Sequence, residues 1–317
     1  MALYLVTGGA GFIGSNLVEE LLRQGSQVRV IDNFATGKPE NLKPFDGRVD
    51  FREVDICDLN ALKEAVRGVD YVLHQAAIPS VPKSVIDPIT SHNADLTGTL
   101  HVLWAAKEAG VKRLVYAASS SAYGDNPELP KREDMPSRPI SPYGLMKYVG
   151  EEYCRLFTQL YGLETVSLRY FNVFGPRQDP SSPYSGVLSR FITAMLAGKR
   201  PVIFGDGEQS RDFTFVVNVV RGNLLACHAS GVAGQMYNLA CSERINLNQV
   251  VAQLNSILGT ALEPVYEANR VGDIKHSLAD ISRAKVDLKY LPSVQFQEGL
   301  RITVEWYRQN LGNSLGS

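Results

Sequence analysis

Apolar positions at the start of the chain follow two different spacings in turn. Residues 3–7 form a short run of strand-forming side chains that two glycines close. From Phe12 the apolar residues recur at helical spacing until Gly25, and residues 27–31 form a second apolar run. Short apolar runs are typical of buried strands, and apolar positions three and four apart are typical of a helix. The opening of the chain therefore predicts a β-α-β unit.

The alternation of strand and helix patterns continues as far as residue 170. Strands are predicted over 49–54, 71–73, 113–118 and 164–170, and helices over 59–66, 95–109 and 143–161. This alternation is typical of an α/β fold with a doubly wound parallel sheet, the Rossmann architecture. In such sheets the ligand binds at the carboxyl ends of the strands.

After residue 170 the alternation stops, which predicts a second and smaller unit. Residues 171–210 are rich in Gly, Pro and Ser, and residues 241–317 mix short helices with turns. We therefore expect a nucleotide-binding domain over 1–170 plus about 211–240. A smaller mixed α/β substrate domain is expected over 171–210 plus 241–317.

Three glycines, Gly8, Gly11 and Gly14, occupy the turn between the first strand and the first helix. Glycines in such a turn permit a tight bend, the close approach of a pyrophosphate and close packing of helix on strand. The N–H groups at the helix N-terminus attract phosphates. Asp32 follows the second strand, where its carboxylate can accept from the adenosine ribose hydroxyls and would repel the 2′-phosphate of NADP. We therefore predict an NAD site.

The charge balance limits the possible partners. The 317 residues carry 32 basic and 33 acidic side chains, a net charge of -1. Nucleic acids and anionic membranes usually bind proteins with a basic excess, so we expect neither as a partner. Residues 1–18 are uncharged, but they lack the basic start of a signal peptide and four glycines interrupt them. We interpret them as the buried strand and phosphate turn.

The four cysteines and five histidines are scattered along the chain. No CxxC pair occurs, and no two histidines have metal-ligand spacing. Widely separated cysteines in a chain of this length are typical of reduced thiols in a cytosolic protein. We therefore expect a cytoplasmic location and no metal site.

A tyrosine and a lysine four residues apart supply candidate chemistry. Tyr143 and Lys147 fall on one face of the predicted helix. A phenol with a pKa of about 10 is a poor base at neutral pH, but a nearby ammonium and an oxidised nicotinamide lower that pKa. We predict that Tyr143 is an acid/base and that Lys147 also holds the nicotinamide ribose. Hydroxyls at residues 119–121 end the preceding strand and adjoin this pair.

Several segments together resemble one protein family. They are Thr7-Gly8-Gly9-Ala10-Gly11-Phe12-Ile13-Gly14, Asp32-Asn33, His74-Gln75-Ala76-Ala77, Ser119 with Tyr143 and Lys147, and Arg169-Tyr170-Phe171-Asn172. Over nearly its whole length the chain is similar to the extended short-chain dehydrogenases/reductases. Within that superfamily it resembles the NAD-dependent UDP-sugar 4-epimerases.

The resemblance implies a reaction and a set of cofactor contacts. Tyr143 would take the proton of the sugar 4-hydroxyl, Ser119 would hydrogen-bond the same oxygen, and the 4-keto sugar would turn over in the pocket. NAD would be regenerated in each cycle and retained. The implied cofactor contacts are Gly8, Gly11, Phe12, Ile13, Gly14, Asp32, Asn33, Gly37, Asp55, Ile56, Gln75, Ala76, Ala77, Asn93, Tyr143, Lys147 and Tyr170.

The same resemblance implies how a UDP-sugar would bind. Arg211 and Arg270 would clamp the phosphates in charge-assisted bonds, and Asp273 would take the uridine ribose. Asn172 would contact the diphosphate. The implied substrate contacts are Lys83, Ser119, Ser121, Tyr143, Asn172, Arg211, Arg270, Asp273 and Ser277.

Three positions narrow the expected reaction. Sugar-nucleotide dehydratases of the family carry an Asp-Glu pair after the residue that matches Ser119, and UDP-glucuronate decarboxylases carry a glutamate in place of Ser121. This chain has serines at 120 and 121, so we expect neither elimination nor decarboxylation. Ser277 matches a position whose bulk limits the sugar C2 substituent, and a serine there leaves room for an N-acetyl group.

The main expectation is a 4-epimerase of UDP-glucose and UDP-galactose that also accepts UDP-GlcNAc and UDP-GalNAc. A UDP-glucuronate 4-epimerase is an alternative, and it would need a cation near the sugar C6 from Lys83, Arg177 or Arg190. A non-catalytic dinucleotide-sensing regulator on the same fold would be expected to lack the Tyr-Lys pair. The resemblance also suggests a homodimer built through helices that include 95–109 and 145–160.

Overall fold

Parallel strands dominate the structure. A computed structural model describes residues 1–180, 186–268 and 275–311. The strands in this part of the chain are β1 (Leu3–Thr7), β2 (Gln27–Asp32), β3 (Asp50–Glu53), β4 (Tyr71–His74), β5 (Arg113–Ser119), β6 (Glu164–Tyr170), β7 (Val173–Phe174), β8 (Val202–Phe204), β9 (Ser210–Arg211), β10 (Thr214–Phe215), β11 (Gln235–Leu239), β12 (Ile245–Asn246) and β13 (Val265–Glu267).

Helices connect most of these strands. The helices in the described residues are α1 (Phe12–Arg23), α2 (Leu59–Val66), α3 (Val81–Ile86), α4 (Pro88–His92), α5 (Gly98–Glu108), α6 (Pro142–Tyr161), α7 (Val187–Leu196), α8 (Val216–His228), α9 (Leu247–Leu258), α10 (Ser282–Asp287) and α11 (Phe296–Leu311). A π-helical segment, Asn93–Thr97, joins α4 to α5. Short 3₁₀ turns occur at Pro39–Asn41, Lys43–Phe45 and Ser120–Tyr123.

Seven strands form one sheet in the order β11-β6-β5-β4-β1-β2-β3. Every neighbouring pair in this sheet is parallel. The carboxyl ends of all seven strands therefore share one edge, where ligands bind in sheets of this kind. The predicted doubly wound α/β fold is confirmed.

Both faces of the sheet are covered by apolar side chains. Along β1, Val6 points into one core and Leu5 into the other, and both are fully buried. Helices α1 and α8 cover the first face, while α2, α5 and α6 cover the second. This burial on both sides explains why the central strands are uninterrupted apolar runs in the sequence.

The remaining strands form three small two-stranded sheets beside the large one. β7 pairs with β10, β9 with β12 and β8 with β13. Four phenylalanines pack together between these strands and α11, with ring centroids 5.3–6.3 Å apart. Strand β11 returns to the large sheet, as expected for residues 211–240. The exact domain boundaries remain a prediction.

Several predicted elements differ from the structure by a residue or more, and two differences are larger. The helix expected over 95–109 becomes α-helical only at Gly98, because the preceding residues form the π-helical segment. The C-terminal part was expected to contain short helices, but α11 is 16 residues long. In α11, Leu300, Val304 and Tyr307 are buried at helical spacing, and this spacing was the available signal.

Candidate active site

The glycine turn after β1 leaves no room for side chains. Gly8 has a φ of +68°, and a Cβ there would lie 2.7 Å from the backbone nitrogen of Ala76. A Cβ on Gly14 would lie 2.1 Å from the carbonyl oxygen of Gly8. The N–H of Gly11 donates to that same carbonyl at 3.0 Å, and α1 begins at the next residue. A tight turn at a helix N-terminus fits the pyrophosphate of a dinucleotide.

Asp32 lies at the end of β2 beside this turn. Its Oδ2 accepts from the N–H of Ala10 at 2.9 Å, and its Oδ1 accepts from the N–H of Phe34 at 2.8 Å. A Cβ on Gly37 would lie 2.7 Å from Oδ1, so residue 37 must be small. Burial raises the pKa of Asp32, and the N–H groups of Phe34 and Ala10 oppose that rise. Each carboxylate oxygen retains lone pairs that can accept from a ribose.

Residues that follow β2 and β3 adjoin one another. The Asn33 side-chain amide donates to Asp55 at 3.0 Å. Ile56 is buried, and its side chain packs against Gly98, the first residue after the π-helical segment. Asn93 is exposed at the start of that segment, and its carbonyl accepts from the Cys57 thiol at 3.2 Å. Phe12 and Ile13 are half-buried at the start of α1. Among the predicted cofactor contacts, Asn33 and Asp55 therefore lie together, and the segment after β3 reaches the start of the π-helical segment.

A set of hydrogen-bonded polar side chains links the end of β4 to β6. Asn223 of α8 is fully buried and donates to the Tyr170 hydroxyl at 2.8 Å. The Gln75 amide lies 3.2 Å from the same hydroxyl. The hydroxyl of Thr7 accepts from the N–H groups of Gln75 and Ala76, both at 3.1 Å. The half-buried Ala77 follows in the chain, and the predicted Gln75–Ala77 cofactor contacts are thus held from both sides.

His74, the last residue of β4, is held in the neutral form by its surroundings. Its Nδ1 lies 2.7 Å from the Thr7 hydroxyl, and its Nε2 lies 3.0 Å from the Thr99 hydroxyl. Thr99 in turn donates to the carbonyl of Asp95 at 2.6 Å. Complete burial lowers the pKa of His74 to about 3, with a smaller contribution from Lys147. His74 therefore has a structural role through its hydrogen bonds and does not carry a proton.

Ser119, Tyr143 and Lys147 meet where β5 ends beside α6. The Ser119 side chain lies close enough to the Tyr143 phenol to influence its pKa. The Lys147 ammonium donates to the carbonyl of Ala117 at 2.9 Å and lies 6.0 Å from the centre of the Tyr143 ring. The N–H of Tyr143 donates to the Ser84 hydroxyl at 3.0 Å, so α3 fixes the start of α6.

Burial acts on the two titratable groups of this trio in opposite directions. It raises the pKa of the Tyr143 phenol, the Asp95 carboxylate raises it further, and the Ser119 side chain opposes the rise. Burial also lowers the pKa of the Lys147 ammonium, and Asp95 is the first of three groups that oppose this. The Ser119 hydroxyl also accepts from the N–H of Ser121 at 3.1 Å, which fixes the serine run. A phenol in these surroundings needs a further positive charge nearby before it can act as a base.

The predicted UDP-side residues meet around a second centre. We call it the Asp212 cluster, and it consists of Asn172, Ser210, Arg211, Asp212 and Ser277. Asn172 donates from its side chain to the carbonyl of Asp212 at 3.2 Å. Arg211 donates to the carbonyl of Ser210 at 3.0 Å, and the N–H of Ser277 donates to the same carbonyl at 3.0 Å.

The Asp212 carboxylate holds this cluster together. It is fully buried, and its two oxygens accept from the N–H groups of Cys241 at 3.0 Å and Ala279 at 3.1 Å. Burial raises the pKa of Asp212 to about 6, and the backbone N–H groups oppose the rise. Residues 212, 241 and 279 thus form one unit although they are far apart in the sequence.

Some predicted residues lie away from these two centres or cannot be placed. Arg270 and Asp273 lie outside the described residues. Lys83 is exposed on α3. Arg177, a candidate cation for a sugar carboxylate, pairs with Glu19 of α1 at 2.6 Å.

Four polar residues that support the candidate site were not predicted from the sequence. They are His74 in its structural role, Asp95, Asp212 and Asn223. Asp95 and Asn223 sit within helical patterns, where a polar residue normally faces solvent. Only their complete burial distinguishes them, and the sequence offers no direct signal for it. Asp212 stood beside Arg211 in a predicted ligand segment, and that was a usable signal.

The described ranges contain neither a candidate metal site nor a candidate membrane span. No group of three or more His, Cys, Asp or Glu side chains in residues 1–180, 186–268 and 275–311 could hold a metal ion. In the same ranges, no helix has the length and apolar character needed to cross a bilayer. The expectations of no metal and of a cytoplasmic location stay predictions.

Comparison with known proteins gives matches along the whole chain. Residues 4–240 match the model of the NAD dependent epimerase/dehydratase family. The solved UDP-N-acetylglucosamine 4-epimerase of Methanobrevibacter ruminantium M1, in complex with UDP-N-acetylmuramic acid, is 39% identical with a TM-score of 0.93, and the match covers 97% of this chain and 98% of that chain.

Two further solved structures extend the range of bound sugars. The UDP-glucose 4-epimerase of Thermotoga maritima, with UDP-glucose, is 40% identical with a TM-score of 0.93, covering 98% of this chain and 99% of that one. The UDP-glucuronic acid 4-epimerase of Bacillus cereus, with UDP-glucuronic acid and NAD, is 32% identical with a TM-score of 0.89, covering 97% and 99%.

Proposed function

Because the chain belongs to the NAD-dependent epimerase/dehydratase family, we propose that it interconverts the C4 epimers of a UDP-hexose. The substrates are UDP-glucose and UDP-galactose, and also their N-acetyl forms. The observation that carries this proposal is the meeting of Ser119, Tyr143 and Lys147 at the carboxyl edge of the sheet, the edge that also holds the glycine turn. The similarity to solved 4-epimerases of UDP-glucose and UDP-GlcNAc supports it.

The cofactor is NAD, as predicted, and the residues around the carboxyl edge fit it. NAD supplies the hydride acceptor and donor for the sugar C4 and, when oxidised, a positive charge. The glycine turn of residues 8–14 would hold the pyrophosphate, and Asp32 would hold the adenosine ribose. Gln75, Tyr170 and Lys147 would hold the nicotinamide end. A side chain at residue 8 would collide with the backbone of Ala76, and one at residue 14 would collide with the carbonyl of Gly8, so either would deform this turn.

Tyr143 moves the proton of the sugar 4-hydroxyl in this proposal. Its pKa is raised by burial, so it is a weak base until a positive charge lies nearby. The Lys147 ammonium is the protein's own charge at this place. Ser119 would hydrogen-bond the sugar oxygen beside the phenol, which keeps the proton on a short path.

Inversion requires the 4-keto sugar to present its other face before the hydride returns. The UDP end must therefore stay bound while the hexose turns. The Asp212 cluster supports this division. In the proposal its arginine and Asn172 face the diphosphate, while the reacting end of the hexose meets the hydroxyls of Ser119, Ser121 and Tyr143. Ser277 would adjoin the C2 substituent.

The proposal is tested with purified protein and no added NAD. UDP-glucose, UDP-GlcNAc and UDP-GlcA are each incubated with it, the products are resolved, and NAD released on denaturation is measured. We expect epimerisation of the first two. Failure to epimerise any of the three, with NAD bound, would contradict the proposal.

Tyr143→Phe tests the assigned proton step. Removing a positioned acid/base lowers kcat by about 10²–10⁴-fold, and the variant should retain its NAD and its melting temperature. Tyr161→Phe is the matched control, since Tyr161 lies at the exposed end of the same helix. Full activity of Tyr143→Phe would rule out Tyr143 as the acid/base.

The two alternative functions are less well supported. UDP-glucuronate epimerisation needs a cation for the sugar carboxylate, and the candidate Arg177 is already paired with Glu19. The similarity to the Bacillus cereus enzyme keeps UDP-GlcA in the substrate test. A non-catalytic regulator would not need the trio of Ser119, Tyr143 and Lys147.

The homodimer also belongs to the proposal. Helices α5 and α6 pack side by side, and Leu145 and Leu160 of α6 are more than half exposed, at 51% and 67%. A second copy would cover this apolar surface. Light scattering should therefore give twice the chain mass of 34.8 kDa, and a monomer would contradict it.

A further inference from the structure

Asp95 is a fully buried carboxyl group that the proposed mechanism does not use. It lies in the middle of the π-helical segment Asn93–Thr97, between α4 and α5. π-Helical turns are rare and occur frequently at functional sites. This segment packs against α6, the helix that carries Tyr143 and Lys147.

The two oxygens of this carboxyl group differ. Oδ1 accepts from the N–H of Ile78 at 2.6 Å. Oδ2 is buried and has no hydrogen-bond partner among the described residues. The backbone of Asp95 is fixed separately, because its carbonyl accepts from Thr99 at 2.6 Å. A buried carboxylate oxygen without a donor is unfavourable unless a positive charge lies nearby.

The Lys147 ammonium has the complementary requirement. It is 3% exposed, and it donates to the carbonyl of Ala117 at 2.9 Å. A buried ammonium is stable only when an opposite charge compensates for the lost water. Lys147 and Asp95 interact electrostatically, each favouring the charged form of the other against burial.

The elements packed around this pair carry other charged or titratable groups. They are His92 and His101 of α4 and α5, His74 of β4, Tyr116 of β5, Arg169 of β6, and Tyr143, Glu151 and Cys154 of α6. Glu151 is committed to Arg169, which donates to its two oxygens at 2.8 and 2.7 Å. Burial keeps the Tyr116 phenol and the Cys154 thiol neutral, since it raises the pKa of both.

We propose that the Asp95 carboxylate is the counter-ion of the Lys147 ammonium and keeps this lysine charged in the closed interior of the site. Asp95 is thus a positioning residue, because it touches neither the substrate nor the cofactor in this proposal and acts through the charge of Lys147. Its importance for turnover rests on the proposed function, whereas the charge pair itself does not.

The direct test is a titration of the holoenzyme by NMR. Carbon-13 labels report on the aspartate carboxyls and the lysine ε-carbons, and Asp95→Asn and Lys147→Arg identify the two signals. We expect Asp95 to be ionised and Lys147 protonated at about pH 7.5. A carboxyl of Asp95 that stays protonated there would overturn the proposal, and this measurement needs only the wild-type fold once the signals are identified.

Asp95→Asn separates the charge from the hydrogen bond. Its amide oxygen can still accept from the N–H of Ile78, so a merely structural role predicts wild-type behaviour. Loss of the counter-ion instead lowers the pKa of Lys147, and we expect a shift of about one unit or more. Asp58→Asn is the control, since Asp58 caps α2 at the surface. An unchanged Lys147 titration in Asp95→Asn would overturn the proposal.

The pH dependence of kcat supplies a second measurement. Because Lys147 would lose its proton at lower pH in Asp95→Asn, the alkaline fall in kcat should move toward neutral pH by the same interval. An alkaline limb that does not move would contradict the proposal. If the wild type turned over no UDP-sugar at all, the proposed function would fail while the NMR titration would still decide the charge pair.

Discussion

The glycine turn of residues 8–14 and the Asp212 cluster both bring predicted ligand-binding residues together, but they do so by different means. In the glycine turn, contiguous residues are constrained by backbone sterics, and a Cβ at Gly14 would overlap the carbonyl of Gly8. In the Asp212 cluster, one buried carboxylate binds segments that lie 29 and 67 residues further along the chain.

This difference predicts different failures. A steric turn is lost when a single side chain is added, and with it the cofactor. A cluster held by a carboxylate depends on hydrogen bonds and on protonation, so it should weaken gradually and with pH. Changes in the first region should therefore affect NAD retention, and changes in the second should affect the substrate.

Gly14→Ala should have the largest effect. A Cβ placed 2.1 Å from the carbonyl oxygen of Gly8 forces the turn to open, so we expect protein without bound NAD. Gly25→Ala is the matched control in the same β-α-β unit, because its Cβ meets nothing within 4 Å and only its φ of +76° is unfavourable. That strain costs about 1–2 kcal/mol and should leave NAD bound. The measurement is NAD released per chain on denaturation, and equimolar NAD in Gly14→Ala would contradict the steric account.

The pH dependence of stability tests the Asp212 cluster. Its carboxyl has a pKa of about 6 when folded and about 3.9 when unfolded. The folded state therefore binds the proton more tightly, so its contribution to stability is complete below about pH 4 and is lost as pH rises through 6. The loss is about 3 kcal/mol for two pKa units.

Urea unfolding of the wild type and Asp212→Asn over this pH range measures the effect. The difference in unfolding free energy, wild type minus variant, should fall by that amount between pH 4 and 7, since an asparagine does not titrate. Exposed Asp46→Asn controls for the general loss of a carboxylate. A difference that does not change with pH would show that Asp212 is not the titrating group.

The two regions also differ in how far the sequence could predict them. The sheet, α1 and the trio of Ser119, Tyr143 and Lys147 follow from short-range spacing, because parallel strands deliver their carboxyl ends to one edge. Asp95 and Asn223 could not be found this way, since their helical positions look solvent-facing until tertiary packing buries them. The partners of Asp212 at 241 and 279 depend on contacts between distant segments, which no local pattern records.

Asp212→Asn should have a moderate effect on catalysis. The N–H groups of Cys241 and Ala279 donate to separate oxygens of Asp212. The NH2 group of an asparagine would therefore face one of these two donors, which would lose its acceptor. An unsatisfied buried donor costs about 1–3 kcal/mol, and we expect KM for the UDP-sugar to rise about tenfold with kcat and NAD content nearly unchanged. Steady-state kinetics at constant pH measure this. Loss of NAD from the variant would mean that the two regions are not independent.

Ser277→Tyr should have the smallest effect on kcat/KM for UDP-glucose. Its effect on kcat/KM for UDP-GlcNAc should be larger. The backbone of Ser277 is fixed independently of its side chain, because its N–H donates to the carbonyl of Ser210 at 3.0 Å and the nearby Ala279 is bound to Asp212. A tyrosine can therefore be introduced without breaking those contacts, and its bulk would occupy the space proposed for an N-acetyl group.

Overpacking of this kind costs about 1–3 kcal/mol, so kcat/KM for UDP-GlcNAc should fall about tenfold or more while kcat/KM for UDP-glucose changes little. Ser277→Ala keeps the space open and should retain both activities, which separates bulk from the loss of the hydroxyl. Unchanged turnover of UDP-GlcNAc by Ser277→Tyr would remove Ser277 from the sugar pocket. The Asp212 cluster would then bind only the UDP end of the substrate. Residues near Ser121, outside that cluster, would determine which hexose is accepted.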